Sequence, residues 1–355
     1  MYSDTTLTGG KTPELHPHLA LLVLPRLRVQ NANAISSPLT WGFPAITAFT
    51  GFMTALERRL GPEAGIRFHG IGVICHAFEA QVTQGGYTHS FCLTRNPILK
   101  DGGTAAIVEE GRVHLDITLV LDVRLSSTLI NDTARTQLAT HIGDVVAGMR
   151  LAGGSVMPPL PGTLRHSPRP QLMLLSDDEE SRSKHFRRLS RRWLPGFALV
   201  SRDDVLHKRL SELQASATPD TPQPTLLDAW LDLSRINHRA TVEPQWNAAS
   251  DSYEDTVQWR TDSRPGWLVP IPVGFAALSE AHPPGTVARA RDPSVPFRFV
   301  ESVYSIGQWI SPHRLRDTDQ LIWKPSYDEA NGLYRCTNDF QQDASSACTQ
   351  VSETD

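Results

Sequence analysis

Residues Leu21–Leu60 read LLVLPRLRVQNANAISSPLTWGFPAITAFTGFMTALERRL, and this stretch decides how the fold begins. The apolar run inside Leu19–Leu27 predicts a buried strand. The Asn, Gln and Ser residues that follow it predict a polar turn. The apolar spacing of Ala45–Leu60 predicts an amphipathic helix, which the Gly61-Pro62 pair ends. A strand, a polar turn and a helix are therefore expected in succession.

The segments after this helix predict a second strand, an insert, a third strand and a second helix. Gly70–Val82 is rich in Val, Ile and Phe, which favours a long strand. Val113–Leu121 alternates apolar and polar residues, as a half-buried strand does. Asp132–Met149 predicts a helix capped by Asn131 or by Asp132 itself. A short strand is expected after a Gly-rich loop that follows this helix.

The resulting order, β-α-β-insert-β-α-β, predicts a ferredoxin-like, RNA-recognition-motif-like domain over residues 19–160. Its insert spans residues 83–111, and an insert of about thirty residues inside a compact domain is usually functional. Gln84-Gly85-Gly86-Tyr87 is a hairpin turn signal, and His89–Leu93 predicts the returning strand. The fold class predicted for the chain is α+β.

Residues 161–340 have a less regular pattern, which predicts an irregular α+β region packed on the first domain. Trp267–Phe275 contains Pro270 and Pro272, so it is expected to be an edge strand at best. The other expected elements are a basic helix at Glu179–Leu194, a strand at Phe197–Ser201, a Pro/Thr linker at Ala215–Thr225, a short helix at Leu226–Ile236 and a polar loop at His238–Thr256. The polar ends predict a disordered extension over residues 1–18 and a flexible tail over 341–355.

Composition narrows the class of protein. Forty per cent of the residues are hydrophobic, which suffices for a sizeable core, and the formal net charge is −4. Net charge is a sum, and nucleic-acid binding depends on where basic residues cluster. The four cysteines lack zinc-binding spacing, which predicts reduced thiols, no metal and no cofactor. The absence of a signal peptide and of a long apolar run predicts a cytoplasmic protein with no membrane partner.

The polar turn and its flanks carry amides, hydroxyls and an exposed ring, which suit the reading of unpaired bases. The candidate RNA-binding residues here are Arg26, Gln30, Asn31, Asn33, Ser36, Ser37 and Trp41. The alternative is an ordinary strand–loop–helix connection with Asx turns.

Three further segments are candidates for nucleic-acid contact. A Gly-rich loop supplies Arg150, Gly153, Gly154 and Ser155, whose backbone could cradle a phosphate; a plain tight turn is the alternative. Thr94, Arg95 and Asn96 in the insert could contact RNA. The basic helix carries Lys184, Arg187, Arg188, Arg191 and Arg192 as a track for the nucleic-acid backbone, with a solvated helix face as the alternative.

Catalysis receives little support from the sequence. Thirteen histidines could include an acid–base pair, and His69, His76, His89 and His114 lie in the N-terminal unit. RNA cleavage without a metal needs such a group beside a 2′-hydroxyl and a phosphate, but the sequence commits no pair to that role. We predict no catalytic residues. A metal-independent endoribonuclease acting on repeat RNA, or a generic single-strand RNA-binding module, are the alternatives.

Several blocks of the chain carry a resemblance to a known family. Residues Pro38-Leu39-Thr40-Trp41-Gly42, Thr47, Gly51-Phe52 and Ala55-Leu56 resemble the N-terminal motif of Cas-five-type subunits of CRISPR surveillance complexes. The blocks QNANAISSPLTWGFP, TAAIVEEGR, MRLAGGS, LPGFALVSR, GWLVPIP and WISPHR, in this order, are more similar to the second-subunit family of the type I-F (Csy) complex. The resemblance covers residues 19–334.

This resemblance implies a non-catalytic subunit of an RNA-guided complex in antiviral defence. It implies that the chain binds the single-stranded 5′ handle of the guide RNA and that the insert forms a thumb hairpin beside a backbone subunit. It also implies pairing with the large subunit at the tail of the complex. A separate subunit would cut the precursor RNA, and target DNA would be read by guide pairing. Residues 215–256 match nothing that the family assigns.

Overall fold

The computed structural model describes residues 18–95, 98–158, 169–219, 222–247, 251–264 and 266–340. The predicted tail and, apart from His18, the predicted N-terminal extension lie outside these residues, as does Asn96. The described part is an α+β fold with a large antiparallel sheet and five helices, which confirms the predicted class. No helix in this part is long and apolar enough to cross a membrane.

Four of the five helices in the described residues lie close to their predicted positions, whereas the helix over residues 203–215 was not predicted. The five helices are α1 (Ile46–Leu60), α2 (Asp132–Ala147), α3 (Glu179–Arg192), α4 (Asp203–Ala215) and α5 (Leu226–Ser234). The predicted cap of α2 is confirmed, because the Asn131 side chain accepts a hydrogen bond from the Thr133 N–H at 2.8 Å.

The strands fall in two groups along the chain. The first ten are β1 (His18–Asn33), β2 (Ile35–Ser37), β3 (Thr40–Trp41), β4 (Ile66–Ala80), β5 (Val82–Gly85), β6 (Thr88–Arg95), β7 (Ile107–Glu110), β8 (Arg112–Leu125), β9 (Arg150–Leu151) and β10 (Gly154–Met157). The rest are β11 (Gln171–Leu174), β12 (Phe197–Ser201), β13 (His238–Asn247), β14 (Ser252–Thr261), β15 (Trp267–Ala277), β16 (Val300–Ile310), β17 (Trp323–Asp328) and β18 (Leu333–Asn338).

The N-terminal half of the sheet has the order β10–β1–β8–β4, and every pair is antiparallel. β11 also pairs with β1, nearer its start. Helices α1 and α2 cover one face of these strands. Their buried residues Phe49, Met53, Ile142 and others pack on Leu22 and Leu24 of β1.

A bulge in β1 decides which side chains reach the open face. The register to β8 shifts between Leu24 and Leu27, and Arg26 has a positive φ of 53°. Before the bulge Leu22 and Leu24 face the helices; after it Leu27 and Val29 do. Without the extra residue, strict alternation would turn Arg26 into this core. The bulge therefore places the arginines of β1 on the opposite face.

Most strands of the C-terminal half of the chain join the same sheet. β12 pairs with both β16 and β4, and β17 pairs with β4, so these strands with β15 and β18 form a ring. Helix α3 covers the second face of β1 near its start, where Phe186, Leu189 and Trp193 pack with Leu21 and Val23. Beyond Val23 this face continues without a covering helix in the described residues.

Three predictions of local structure need correction. Gln30–Asn33 belongs to β1 and is not a turn, because it pairs with β8 and β10 as far as Asn33. The predicted loop at His238–Thr256 is the hairpin β13–β14, whose alternation was hidden by polar residues on one face. The strand at Trp267 runs to Ala277 between β16 and β18. Only its proline-containing part, before Gly274, is an edge, because β18 pairs with β15 at residues 274–276 alone.

Candidate nucleic-acid interface

The open face of β1 presents polar and basic side chains in one row. Arg26 lies in the bulge, Arg28 and Gln30 follow it, and all three are exposed. Arg28 aligns with Asp116 of β8, and Gln30 aligns with Ser155 of β10. Directly paired residues share a face of the sheet. We call this surface, built from β1, β8 and β10 around Arg28 and Gln30, the open face.

A second irregularity lies at Asn31, where φ is +57°. The Asn31 N–H donates to Nδ1 of His114 at 3.1 Å, so the imidazole proton of His114 is on Nε2. The Asn31 carbonyl accepts from Arg112 at 3.4 Å, and Arg112 also pairs with Glu110 at 2.9 Å. This hydrogen bond to Arg112 holds the pKa of Glu110 below its usual range. The Asn31 side chain remains exposed.

The Gly-rich loop lies directly against the amide-rich segment. Ala152 and Gly153 both have positive φ, 48° and 78°, and form the tip of the β9–β10 hairpin. The Asn33 N–H donates to the Ala152 carbonyl at 2.8 Å. A Cβ on Gly154 would lie 2.7 Å from the backbone of Gln30 and of Ala32, so only glycine allows this approach. Two predicted motifs, distant in sequence, thus form one surface that exposes Arg150 and Ser155.

Asn33, Ser36 and Ser37 are engaged in building the β2–β3 hairpin. The Asn33 side chain donates to the Ile35 carbonyl at 2.7 Å and accepts from its N–H at 3.1 Å, which is an Asx-type arrangement. The Ser36 and Ser37 hydroxyls lie 2.8 and 2.6 Å from the Thr40 hydroxyl. Their RNA contact stays a prediction, while their structural role is to hold the segment that ends at Trp41.

Trp41 joins the β2–β3 hairpin to the insert. Its ring is half exposed and lies 5.9 Å, centroid to centroid, from the ring of Phe91 in β6. The insert is a small sheet of β5, β6 and β7, separate from the main sheet. Within it, Thr94 aligns with Val108 and Arg95 aligns with Ile107. RNA contact by Thr94 and Arg95 stays a prediction.

A chain of hydrogen bonds fixes the start of the open face. The Arg26 N–H donates to the Thr118 hydroxyl at 3.2 Å, and that hydroxyl lies 2.8 Å from Nε2 of His76. Nδ1 of His76 donates to the Pro195 carbonyl at 2.7 Å. Burial lowers the pKa of His76, which favours the neutral ring, so the Thr118 hydroxyl donates to Nε2. The Arg26 guanidinium pairs with Asp116 at 2.7 Å.

The thiol of Cys75, which precedes His76, is not activated as a nucleophile. Burial, with a smaller contribution from the charge of Asp116, raises the pKa of Cys75 to about 12. Reactive cysteines need a thiolate at neutral pH. Cys75 therefore lacks the thiolate that nucleophilic chemistry requires.

The basic helix α3 separates its side chains cleanly into two faces. Phe186, Leu189 and Trp193 are buried, whereas the predicted backbone contacts are exposed. Those exposed residues are Lys184, Arg187, Arg188, Arg191 and Arg192. Lys184 pairs with Glu180 at 2.8 Å, and among the described residues the four arginines form no ion pair. Four clustered and uncompensated charges favour an anionic partner.

Sequence reasoning missed Arg28 and Arg112 as members of this surface and considered His114 only as a catalytic candidate. Alternation in β8 places Arg112, His114 and Asp116 on one face, which was a usable signal. Arg28 could not be placed from the pattern, because the bulge at Arg26 reverses the alternation of β1. In the described part of the chain, no group of three or more His, Cys, Asp or Glu residues could hold a metal ion.

Comparison with known proteins agrees with a CRISPR-associated class. Residues 22–336 match the family model described as CRISPR-associated protein (Cas_Csy2). The chain is also 46% identical over 318 residues to CRISPR-associated protein Csy2 of Pseudomonas aeruginosa (strain UCBPP-PA14), covering 89% of this chain and 94% of that protein. The chain belongs to the Csy2 family, and is therefore a subunit of the type I-F Csy complex in antiviral defence. The predicted type I-F membership is confirmed at this level.

Proposed function

We propose that this chain is a non-catalytic subunit that binds the 5′ handle of the guide RNA. The observation that supports this proposal most is the convergence of the amide-rich end of β1 with the Gly-rich β9–β10 hairpin on the open face. Gln30 aligns with Ser155, and Gly154 packs on the backbone of Ala32. Family membership supplies the setting, a subunit of the type I-F Csy complex.

The chemistry of the open face suits unpaired nucleotides. Gln30 and Asn31 offer amides to base edges, and Trp41 offers a half-exposed ring for stacking. Arg28 and Arg150 supply charge for phosphates. The exposed arginines of α3 extend the positive charge beyond this face as a phosphate track. A single-stranded handle can be splayed over such a surface in a way that a duplex cannot.

We interpret residues 19–160 as a ferredoxin-like domain of the Cas-five type. Its strand order, β10–β1–β8–β4, is the order in which the fourth, first, third and second strands of that fold lie side by side. The insert of β5, β6 and β7 would be the thumb, which presses on the guide where a backbone subunit meets it. Residues 161–340 would form the α+β region packed on this domain.

The proposal places the chain in the cytoplasm at the tail of the complex. There it would pair with the large subunit, and target DNA would be recognised through guide pairing in the assembled complex. Sequence specificity toward the target would come from base pairing rather than from this chain.

A non-catalytic role agrees with the hydrogen bonds that engage His76 and His114, two histidines at the open face. Both nitrogens of His76 are hydrogen-bonded, and Nδ1 of His114 accepts from the Asn31 N–H. The endoribonuclease alternative needs a free acid–base pair. Incubation of the purified chain with labelled repeat RNA should give a shifted band of unchanged length. Specific shortening that a His114→Ala or His76→Ala change abolishes would overturn the proposal in favour of a nuclease.

Binding is tested with a variant of the open face. Replacing Arg28, Gln30 and Arg150 with Ala should raise the Kd for handle RNA by roughly tenfold or more, since a base contact is worth about 1–3 kcal/mol. The matched control replaces Arg58, Arg291 and Arg314, which are exposed elsewhere. Equal losses in the two variants, or equal wild-type affinity for a scrambled RNA, would favour a generic single-strand RNA-binding module.

A further inference from the structure

The hairpin β13–β14 has one apolar face that nothing in the described chain covers. Its register aligns Val242 with Val257, Trp246 with Tyr253 and Ala240 with Trp259. Alternation places these residues on one face. Trp259 and Tyr253 are each 70% exposed, and Trp246 is 50% exposed. We call this surface, formed by Ala240, Val242, Trp246, Tyr253, Val257 and Trp259, the aromatic ribbon face.

The opposite face of the same hairpin is polar. It carries Thr241, Glu243 and Gln245 on β13 with Gln258 and Arg260 on β14. This division is the pattern of a strand pair that packs on something along one side. The two strands pair with each other and with no third strand in the described residues. A two-stranded hairpin of this kind is marginal alone and gains stability by packing.

A network of ion pairs around Asp232 of α5 holds the base of the hairpin β13–β14. Asp232 of α5 is buried and accepts from Arg209 of α4 at 2.7 Å, while Arg235 and Arg239 lie 3.6 and 3.7 Å away. Burial raises the pKa of Asp232, but the hydrogen bond and charge of Arg209 outweigh this and lower it. Arg239 also pairs with Asp262 at 2.8 Å. The hairpin is therefore oriented before any partner binds, which reduces the entropic cost of docking.

We infer that the aromatic ribbon face is a docking surface for another protein subunit of the same complex, through an apolar patch on that subunit. This inference rests on the proposed function of the chain as one subunit among several. The three rings alone expose on the order of 400 Å². That area is about half of the ~800 Å² that each partner buries in a stable interface, and a patch of this size on a monomer is often functional.

Charge favours protein over RNA as the occupant. A groove for single-stranded nucleic acid needs positive charge beside its aromatic residues. The two arginines of the hairpin are already paired, Arg239 with Asp262 and Arg260 with Glu243. Asp255 lies on the aromatic ribbon face itself, between Tyr253 and Val257. Residues 1–17 and 341–355, which lie outside the described part, are together rich in Ser, Thr, Asp and Gln, a composition that does not match an apolar surface.

The test compares two variants of the full chain, each co-expressed with guide RNA and the other protein subunits. In the first, Val242→Thr, Trp246→Thr and Trp259→Thr remove the apolar side chains while keeping β-propensity. In the second, Thr241→Ser, Gln245→Thr and Gln258→Thr change the polar face at neighbouring positions. We expect the first variant to retain at least tenfold less of one protein subunit on a tagged-chain pull-down, with unchanged affinity for handle RNA. The second variant should match wild type in both.

Slower hydrogen exchange at residues 240–246 and 253–259 in the assembled complex would support the same conclusion. Unchanged retention of every subunit by the first variant would overturn the inference. Loss of RNA affinity with full retention of every protein subunit would also overturn the inference. That result would indicate that bases stack on this face. Dimerisation of the wild-type chain alone, abolished by the first variant, would assign the face to a second copy. Failure of wild type to bind handle RNA would defeat the proposed function separately from this result.

Discussion

Gly154 and Ala32 pack backbone against backbone where β10 meets β1. A Cβ built on Gly154 would lie 2.7 Å from the Ala32 amide nitrogen and 2.9 Å from its Cα. Both atoms belong to a strand that β8 and β10 hold on either side. Neither can move away as the end of a flexible side chain could. The contact therefore sets how closely the Gly-rich hairpin approaches the open face.

Replacing Gly154 with Ala should destabilise the chain by about 1–3 kcal/mol, the usual cost of forcing atoms into a packed region. The hairpin should also move away from Gln30, and affinity for handle RNA should fall. Thermal unfolding and RNA titration measure the two effects. Gly51→Ala, on the exposed side of α1 where an added Cβ would meet nothing within 4 Å, is the matched control. A Gly154→Ala chain with wild-type stability and RNA affinity would show that the close approach is not required.

Regular local patterns gave the correct elements, whereas long-range pairing escaped prediction. The apolar spacing of α1 and the Asn131 cap of α2 are local signals, and both elements were predicted. The approach of Gly154 to Ala32 depends on antiparallel register between distant segments, which no local pattern encodes. The hairpin β13–β14 was not predicted. Its polar face has the composition of a loop, and its apolar face packs on no other described part of the chain.

The α3 arginines should contribute to binding through charge alone. Replacing Arg187, Arg188 and Arg191 with Ala should reduce the salt dependence of RNA binding, because each phosphate contact contributes a slope of about 0.7–0.9. Up to ~3 phosphate equivalents should be lost, and the preference for handle sequence should remain. Titrations at several salt concentrations measure the slope. The triple change of Arg58, Arg291 and Arg314 to Ala is the matched control. An unchanged slope in the α3 variant would show that the α3 arginines face solvent or contact a protein instead of RNA.

His76 should make the stability of the chain depend on pH below neutrality. Its pKa in the folded chain lies below the ordinary value of 6.5, because burial disfavours the charged ring. The unfolded chain therefore binds the proton more readily. The contribution of His76 to stability is complete above pH 6.5 and decreases as pH falls from there toward the lower, folded pKa.

Thermal unfolding from pH 7.5 to pH 5 should show this decrease in wild type and a smaller one in a His76→Gln variant. His141→Gln, on the exposed side of α2, is the control and should retain the wild-type slope. An identical pH dependence in wild type and His76→Gln would show that burial at this position does not favour the neutral ring.

The insert should be dispensable for folding and required for assembly. β5, β6 and β7 form a sheet of their own, and β4 and β8, which flank it, pair directly as far as Ala80 with Val113. Replacing Val82–Glu110 by a short Gly/Ser turn removes the Phe91 ring from Trp41 but leaves this pairing intact. Loop-closure entropy varies slowly with length, so the shortening itself should cost little stability.

We therefore expect the shortened chain to be soluble and to bind handle RNA more weakly than wild type, because Trp41 loses its neighbouring ring. It should fail to seat a backbone subunit when co-expressed with guide RNA and the other subunits, as judged by size-exclusion chromatography of the assembly. A Phe91→Ala chain is the matched control, since it removes the ring contact and keeps the insert; it should weaken RNA binding and still assemble. Normal assembly of the shortened chain would contradict the thumb role, and loss of folding would show that the insert belongs to the core.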